Sequence, residues 1–466
     1  MSRNYFSLFT AGNQSLRGRA LRAGAWTIVG HFASQALRLG SNLIMTRLLL
    51  PEMFGIMALA NVILVGLQLV SDLGLRLNIV QSGRGNDRVF LDTVWTVQIV
   101  RGVLIWLVAL SVAVALHFAA GTRWLPGSSV YAEPVLPYII AVLSFNAVIS
   151  GFESTKLATA SRELILGKLT LIDLLCQAAA LVFMLAWVAV DRSIWALAVG
   201  SLLSSVLRVV LSNTLLPGPA NRVHWDGTAL REILHFGKWI FATSVIGFMA
   251  ANGDRLILGG LTDARTLGMY AIAFFMVSAL KDVFAKVIQN VGFPALSEVV
   301  RERPAMLKET YYKVRAPLDM LTLLAAGVLF CAGHLLVHIL YDHRYYPAGR
   351  MLEILSIGLF ELRYQLAGQC FMALGKPQFL VPIIGVQAAA LYCLMPLAFS
   401  RWGFDGALWV AAASVLTTLP VTFYFKMKLG LFDGKLELRA LPWLAGGLLA
   451  GWIIDRVAVL SGLASS

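Results

Sequence analysis

Four polar side chains, His31, Gln35, Arg38 and Asn42, interrupt an apolar stretch that reads GHFASQALRLGSNLIMTRLLLPEMFG. Their spacing of i, i+4, i+7 and i+11 puts them on one face of a helix with 3.6 residues per turn. The flanks are Leu, Ile and Trp, so a single polar stripe looks out of a greasy helix. A charged side chain at mid-membrane costs about 2.5–3.5 kcal/mol, and therefore faces protein or water rather than lipid. Two readings of the stripe stand: it lines an aqueous cavity, or it glues helices together through satisfied polar groups.

The pattern recurs. Asn61, Gln68 and Asp72 fall at i, i+7 and i+11, and Asn252, Asp254 and Arg255 cluster further on. Lys281, Asp282, Lys286 and Gln289 form another set, as do Glu361, Gln365 and Gln369, with Arg363 on another side of that helix. Arg47, beside Pro51 and Glu52, is read as snorkelling to the interface; Asp72 and Lys286 are read as anchors near span ends. Asp254 and Arg255 either face the cavity or neutralise each other. Inside the apolar segments Arg38, Arg101, Arg255, Lys281 and Arg363 outnumber Asp173, Asp254, Asp282 and Glu361. A watery cavity with spare cations suits an anionic substrate, and the planar guanidinium fork suits phosphate oxygens.

These side chains are positioned by a chain of 466 residues that is 58% hydrophobic and only 14% charged, with a mean hydropathy of +0.76. A soluble domain carries about 25% charged residues, and the deficit here runs along the whole length. The sequence therefore predicts an all-α polytopic membrane protein. About 20 apolar residues cross the hydrocarbon. Spans are expected near 23–47, 54–75, 91–116, 135–153, 165–190 and 194–215, then near 237–260, 268–292, 316–340, 350–372, 377–400 and 404–425. Residues 441–463 make a thirteenth span or an interfacial helix. The first run lacks a cleavage site and is read as an uncleaved span. Cys176, Cys331, Cys370 and Cys393 sit in apolar runs without ligand spacing, and are read as small buried hydrophobes.

Lysines and arginines set the expected orientation. With the N-terminus inside, the inside segments hold twenty-four and the outside loops six: Arg123, Arg192, Arg265, Arg344, Arg350 and Arg401. The +13 net charge is thus topology, and nucleic acid has no part in the reading. The two sets of six spans also resemble each other. Gly24-x-Trp26 recurs as Gly237-x-Trp239, and FGIMALA (54–60) recurs as LGMYAIA (267–273), both at an offset of 213. Parallel repeats of this kind place a transport site between the halves. The expected layout is a basic N-terminus 1–22, a six-helix bundle 23–216, a linker 217–236, a second bundle 237–425 and an extension 426–466. No catalytic set is visible: the loops contain no paired carboxylates, no Ser/His/Asp set, no DxD-like metal site and no GxxxxGK[ST]. Neither a cofactor nor a metal is expected.

RLLLPEMFGIMALA (47–60), DRLILGGLTDARTLGMYAIA (254–273), PALSEVVRERPAMLKETYYKVR (294–315) and ALGKPQ (373–378) together resemble the oligosaccharide-exporter group of the MATE-like (MOP) superfamily, and within it the Wzx-type polysaccharide flippases. The likeness covers roughly residues 20–430. It implies a V-shaped cavity between two bundles and a non-hydrolytic flippase for undecaprenyl-diphosphate-linked sugar repeats in a bacterial inner membrane, serving lipopolysaccharide or exopolysaccharide synthesis. By that resemblance Arg38, Arg255, Lys281 and Arg363, with Gln35 and Asn42, would hold diphosphate and sugar. His31, Asp254, Asp282 and Glu361 are the candidates for proton or sodium coupling, and a polysaccharide polymerase and export machinery are candidate partners. Thirteen spans depart from the twelve or fourteen typical of the group. The rival readings are an ion-coupled drug or cation exporter of the same fold, which would favour carboxylates and aromatics in the cavity, and a membrane polymerase or ligase, which would need a long polar outer loop.

Overall fold

In a computed structural model, the described residues are 16–461 apart from 72–73, 76–78, 81–83, 86, 121–125 and 164. Arg3, Asp72, Arg76 and Arg123 lie outside them. All regular elements among the described residues are helical. The first half contains α1 (Leu16–Leu48), α2 (Pro51–Val70), α3 (Arg88–Ala119), α4 (Leu136–Gly151), the short α5 (Lys156–Arg162), α6 (Leu166–Val190) and α7 (Trp195–Thr214). The second contains α8 (Gly227–Leu261), α9 (Ala264–Val287), α10 (Phe293–Glu302), α11 (Leu307–Leu340), α12 (Pro347–Leu355), α13 (Leu362–Ala373), α14 (Leu380–Ala413) and α15 (Leu419–Lys428). Helices α16 (Gly434–Leu438) and α17 (Leu441–Leu460) follow.

Seven of the described helical stretches are long and apolar enough to cross a membrane, and the pair α4–α5, bent by 63°, would make an eighth. Helices α1, α8 and α9, which carry polar stripes, are not among these seven. The 52-residue stretch 377–428 counted among the seven holds two of the expected spans. Gly403 adopts φ 63° inside it, and a Cβ on Gly406 would lie 2.6 Å from the Ala398 carbonyl oxygen, so the chain doubles back there. Helix α8 begins ten residues before its expected span. Asp226 caps it by accepting from the Thr228 and Ala229 amides, and Ala229 and Ile233 bury against Leu75, Ile79 and Phe90. At 1.5 Å per residue, α1 with 33 residues and α8 with 35 run to about 50 Å and project beyond about 30 Å of hydrocarbon.

The repeat in the sequence becomes a symmetric contact. Pro51 starts α2 and Asp263 caps α9 through the Thr266 amide, so equivalent turns open equivalent helices. A Cβ on Gly55 would lie 2.0 Å from the carbonyl oxygen of Ala264, and one on Gly268 would lie 1.9 Å from that of Pro51. Each half thus presents the same glycine to the same carbonyl of the other. We term the face where α1 ends and α2 and α9 begin the far face, and the opposite one the near face. The largest apolar core joins both halves, with Leu59, Ala60, Ile139 and Leu143 packed in one cluster with Leu267, Tyr270, Leu352 and Leu359.

Helix α17 runs alongside α11 rather than lying across the end of the bundle. A Cβ on Gly447 would lie 2.6 Å from the Leu324 carbonyl, and one on Gly451 2.8 Å from that of Val328. Small residues four apart allow this backbone approach, as in other membrane helix pairs.

Candidate functional cavity

Two cavities occupy matching places in the two halves. The first, about 460 Å³, is lined by α1, α4, α6 and α7 residues including Leu37, Arg38, Ser41, Asn42, Gln177 and Ser201, with Phe275 of α9 closing one side. The second, about 360 Å³, is lined by Ala250, Ala251, Asp254, Tyr270, Lys281 and Glu361 among others. Leu37, Arg38 and Ser41 precede Ala250, Ala251 and Asp254 by the repeat offset of 213. The lobes are therefore the two copies of one site, and their side chains have diverged.

The stripe on α1 faces α9. Arg38 donates to Gln35 Oε1 and lies 3.6 Å from Asp282, both side chains being about half exposed. Gln35 donates to the Ala279 carbonyl at 3.3 Å. Nε2 of His31 is buried with no hydrogen-bond partner among the described residues. Arg255 is not among the residues lining the second lobe, although its neighbour Asp254 is; its guanidinium lies 4.1 Å from the centre of the Phe274 ring, donates to Asn252 at 2.8 Å and stands 3.7 Å from Asp254. Asp254 is buried and accepts from the Tyr270 hydroxyl. Lys281 meets Glu361 at 3.1 Å. Gly358 makes room for that ammonium, since a Cβ there would sit 3.1 Å from Nζ.

Each of Arg38, Arg255 and Lys281 thus has a carboxylate beside it, so the spare positive charge expected of the cavity is already balanced in this structure. An anion entering the lobes meets cations that it must share with, or take from, Asp282 and Glu361. Outside the lobes Arg101 donates to Ser71 Oγ at 3.1 Å and to the Gln68 carbonyl at 2.7 Å, and Asp173 is bonded by Arg208.

Arg363 does not face the cavity. Its side chain is fully buried near the near face, donating to Asp319 at 3.2 Å and to the Glu437 carbonyl at 3.1 Å. Helical position alone suggested it; the side it occupies turns it toward α11 and α16. There Arg315 makes two bonds to Glu437, at 2.7 and 2.6 Å, and Lys426 bonds the same carboxylate. Three cations and two carboxylates, Asp319 and Glu437, hold the segment before α17 in place.

The far face is sealed by residues that sequence reasoning passed over. Tyr341 donates to Asn42 at 2.8 Å, so Asn42 serves the seal as well as lining the first lobe. Arg344 donates to the carbonyls of Thr46 and Arg47, and Tyr345 to that of Leu49. From the first half Tyr131 reaches the Leu256 carbonyl at 3.1 Å, and the Val130 amide that of Thr262. The available signal was the cluster YDHRYY (341–346) at the end of a span, which reads as an ordinary polar loop.

Comparison with known proteins fits this geometry. Over 349 residues the chain is 21% identical to the lipopolysaccharide biosynthesis protein WzxC of Escherichia coli (strain K12), covering 74% of this chain and 67% of that one. It is 18% identical over 189 residues to the teichuronic acid biosynthesis protein TuaB of Bacillus subtilis (strain 168), covering 38% and 39%. In fold it is similar to the lipid II flippase MurJ in an inward closed conformation, with a TM-score of 0.66 at 12% identity over 92% of both chains. It is also similar to an inward-facing multidrug resistance MATE transporter of the MOP superfamily, with a TM-score of 0.59 at 14% identity over 90% of this chain and 96% of that one. The polysaccharide biosynthesis protein family matches residues 44–349, about two thirds of the chain, and the protein belongs to that family.

Proposed function

We propose that the protein flips undecaprenyl-diphosphate-linked oligosaccharide repeats from the inner to the outer leaflet of a bacterial inner membrane, for surface polysaccharide synthesis. The observation that carries this is the charge pairing across the halves, Arg38 on α1 with Asp282 on α9, at the place where this reading puts the diphosphate. The near face is cytoplasmic, as the lysine and arginine distribution supports, and bundle 23–216 rocks against bundle 237–425. Arg38, Arg255 and Lys281 take the diphosphate and sugar acids, with Gln35 and Asn42 contributing hydrogen bonds. Asp282 and Glu361 hold the cations while the site is empty and yield them to substrate, so a proton or sodium ion taken up by either carboxylate, or by Asp254 or His31, couples loading to an ion gradient. The polymerase and export machinery receive the product on the outer side.

One observation favours a second reading, an ion-coupled exporter of small cations: the second lobe holds Asp254 and Glu361 beside the aromatic rings of Tyr270 and Phe274. A deletion strain separates the two. Under the flippase reading, completed lipid-linked repeat accumulates while surface glycan falls, wild type restores both, and Arg38→Ala at equal membrane level does not. Unchanged lipid-linked sugars and surface glycan, in a strain with no second flippase, refute it.

A further inference from the structure

Away from both lobes, three helices place titratable groups together. His334 Nδ1 of α11 lies 2.6 Å from Oε1 of Glu353 on α12, and its Nε2 lies 3.1 Å from Oδ1 of Asp455 on α17. The His334 backbone amide also donates to Glu353 Oε1, at 3.1 Å. Each residue is five or six positions from the far end of its helix, a depth of about 8–9 Å. A neutral imidazole carries one N–H, and only the cation carries two. Two imidazole–carboxylate contacts at hydrogen-bond distance need two protons. Making both contacts hydrogen bonds takes one proton more than a neutral His334 and two ionised carboxylates carry between them, placed on the ring or on an acid.

Among the described residues, the groups around the cluster do not supply another counter-charge. Cys331 and His338 are on α11, with Tyr346 stacked 3.7 Å from the His338 ring. Arg350 of the α12 turn is bonded to Asp405 at 2.9 Å, and Arg456 of α17 lies over Trp452. Losing the proton takes the cluster from a net charge of −1 to −2 and leaves one imidazole nitrogen lone pair facing a carboxylate. The glycine contacts of α17, at Gly447 and Gly451, lie nearer the middle of the helix, and the cluster lies beyond them toward its far end. Glu353 also precedes a 3₁₀ segment, Ser356–Glu361, the type of break at which helices hinge, and Glu361 at its other end pairs with Lys281 in the second lobe.

We propose that His334, Glu353 and Asp455 form a proton-binding site, filled from the far face, whose occupancy holds the far end of α17 against α11 and α12. The site is separate from the four coupling candidates named above and does not depend on the flippase reading. Its test uses full-length protein in nanodiscs near pH 8, where an unperturbed imidazole of pKa about 6.5 is neutral. Histidine 15N spectra and infrared carbonyl bands are recorded together. The expected result is a doubly protonated ring that His334→Gln removes, or a carboxylic-acid band that Glu353→Gln or Asp455→Asn removes; the absence of both overturns the site. Spin labels at Ile339→Cys and Leu460→Cys, with the four native cysteines replaced by alanine, then report the helix ends. The distance distribution should be narrow in acid and broaden by several ångströms in alkali, and Asp455→Asn should abolish the pH dependence. A width independent of pH in the otherwise native cluster overturns the clamp.

Discussion

The crossing of α2 and α9 tolerates no side chain, and the consequence can be worked out. Alanine at position 55 places a Cβ 2.0 Å from a backbone oxygen, whereas ordinary contact begins at 3.4 Å. The helices must part by about 1.4 Å there, because a carbonyl cannot rotate away as a side-chain tip can. Overpacking of this kind costs about 1–3 kcal/mol, and the better helix propensity of alanine returns about 1 kcal/mol. A net loss of up to about 2 kcal/mol is expected for Gly55→Ala and for Gly268→Ala. The two substitutions open the same crossing, so the double variant should lose clearly less than the sum, by about 0.5 kcal/mol or more. Thermal unfolding in detergent measures the stabilities. A cysteine replacing Leu267, which is fully buried beside Gly268, reports the opening through its reaction with a membrane-impermeant maleimide. Strict additivity, or wild-type melting with no gain in labelling, would refute the shared crossing.

Three further outcomes follow from the same structure. Glu437→Gln leaves Arg315, Arg363 and Lys426 with Asp319 as their one remaining carboxylate among the described residues; breaking a buried pair costs about 3–5 kcal/mol, so the variant should show sharply reduced membrane levels and a lower melting temperature. Asp282→Asn frees Arg38 in the empty cavity, and binding of an inorganic diphosphate probe should tighten, while Arg38→Ala weakens it; equal affinities for the three proteins would sink the exchange idea. Asp433, hydrogen-bonded by Lys308, has its carboxyl held below the usual range. Its contribution is therefore complete above the unfolded value of about 3.9 and lost as pH falls through the lower folded value, so hydrogen exchange at the Lys435 and Leu436 amides it caps should stay protected at pH 5 and rise only in stronger acid.

Helical period and composition reveal what depends on one helix at a time. The α1 stripe, the positions of the spans and the 213-residue repeat all belong to that class, because side-chain direction on a helix follows from spacing alone. Which charges meet does not. Arg38 and Asp282 are 244 positions apart, and only the approach of α1 to α9 makes them partners. Arg363 carries the same lesson in reverse: its spacing could not say that Asp319 and Glu437, from two other helices, would claim it. The ten extra residues of α8 were within reach, since HWDGTALREI (224–233) opens with an Asp at a helix start. So was the seating of α17, whose Gly447-x-x-x-Gly451 spacing marks a helix-packing face. The charged cluster at His334 was not, because its three members come from three different helices, and only the packing of α11, α12 and α17 brings them together.

The contact at Gly55 and Gly268 has a further meaning for how such a chain arises. An interface in which residue i meets j while the equivalent of i meets the equivalent of j is the isologous contact of a two-fold dimer. A six-helix chain with a single copy of this motif could have made the same contact with a second copy of itself. Duplication and fusion would then preserve the joint while releasing the rest from symmetry. In a homodimer every substitution appears twice, and Arg38 would have stood opposite another Arg38; in the fused chain the equivalent position is Ala251. Covalent linkage thereby allows the two lobes to divide their labour, one offering an arginine to the ligand and the other acids and a lysine, around a hinge that neither half could alter alone.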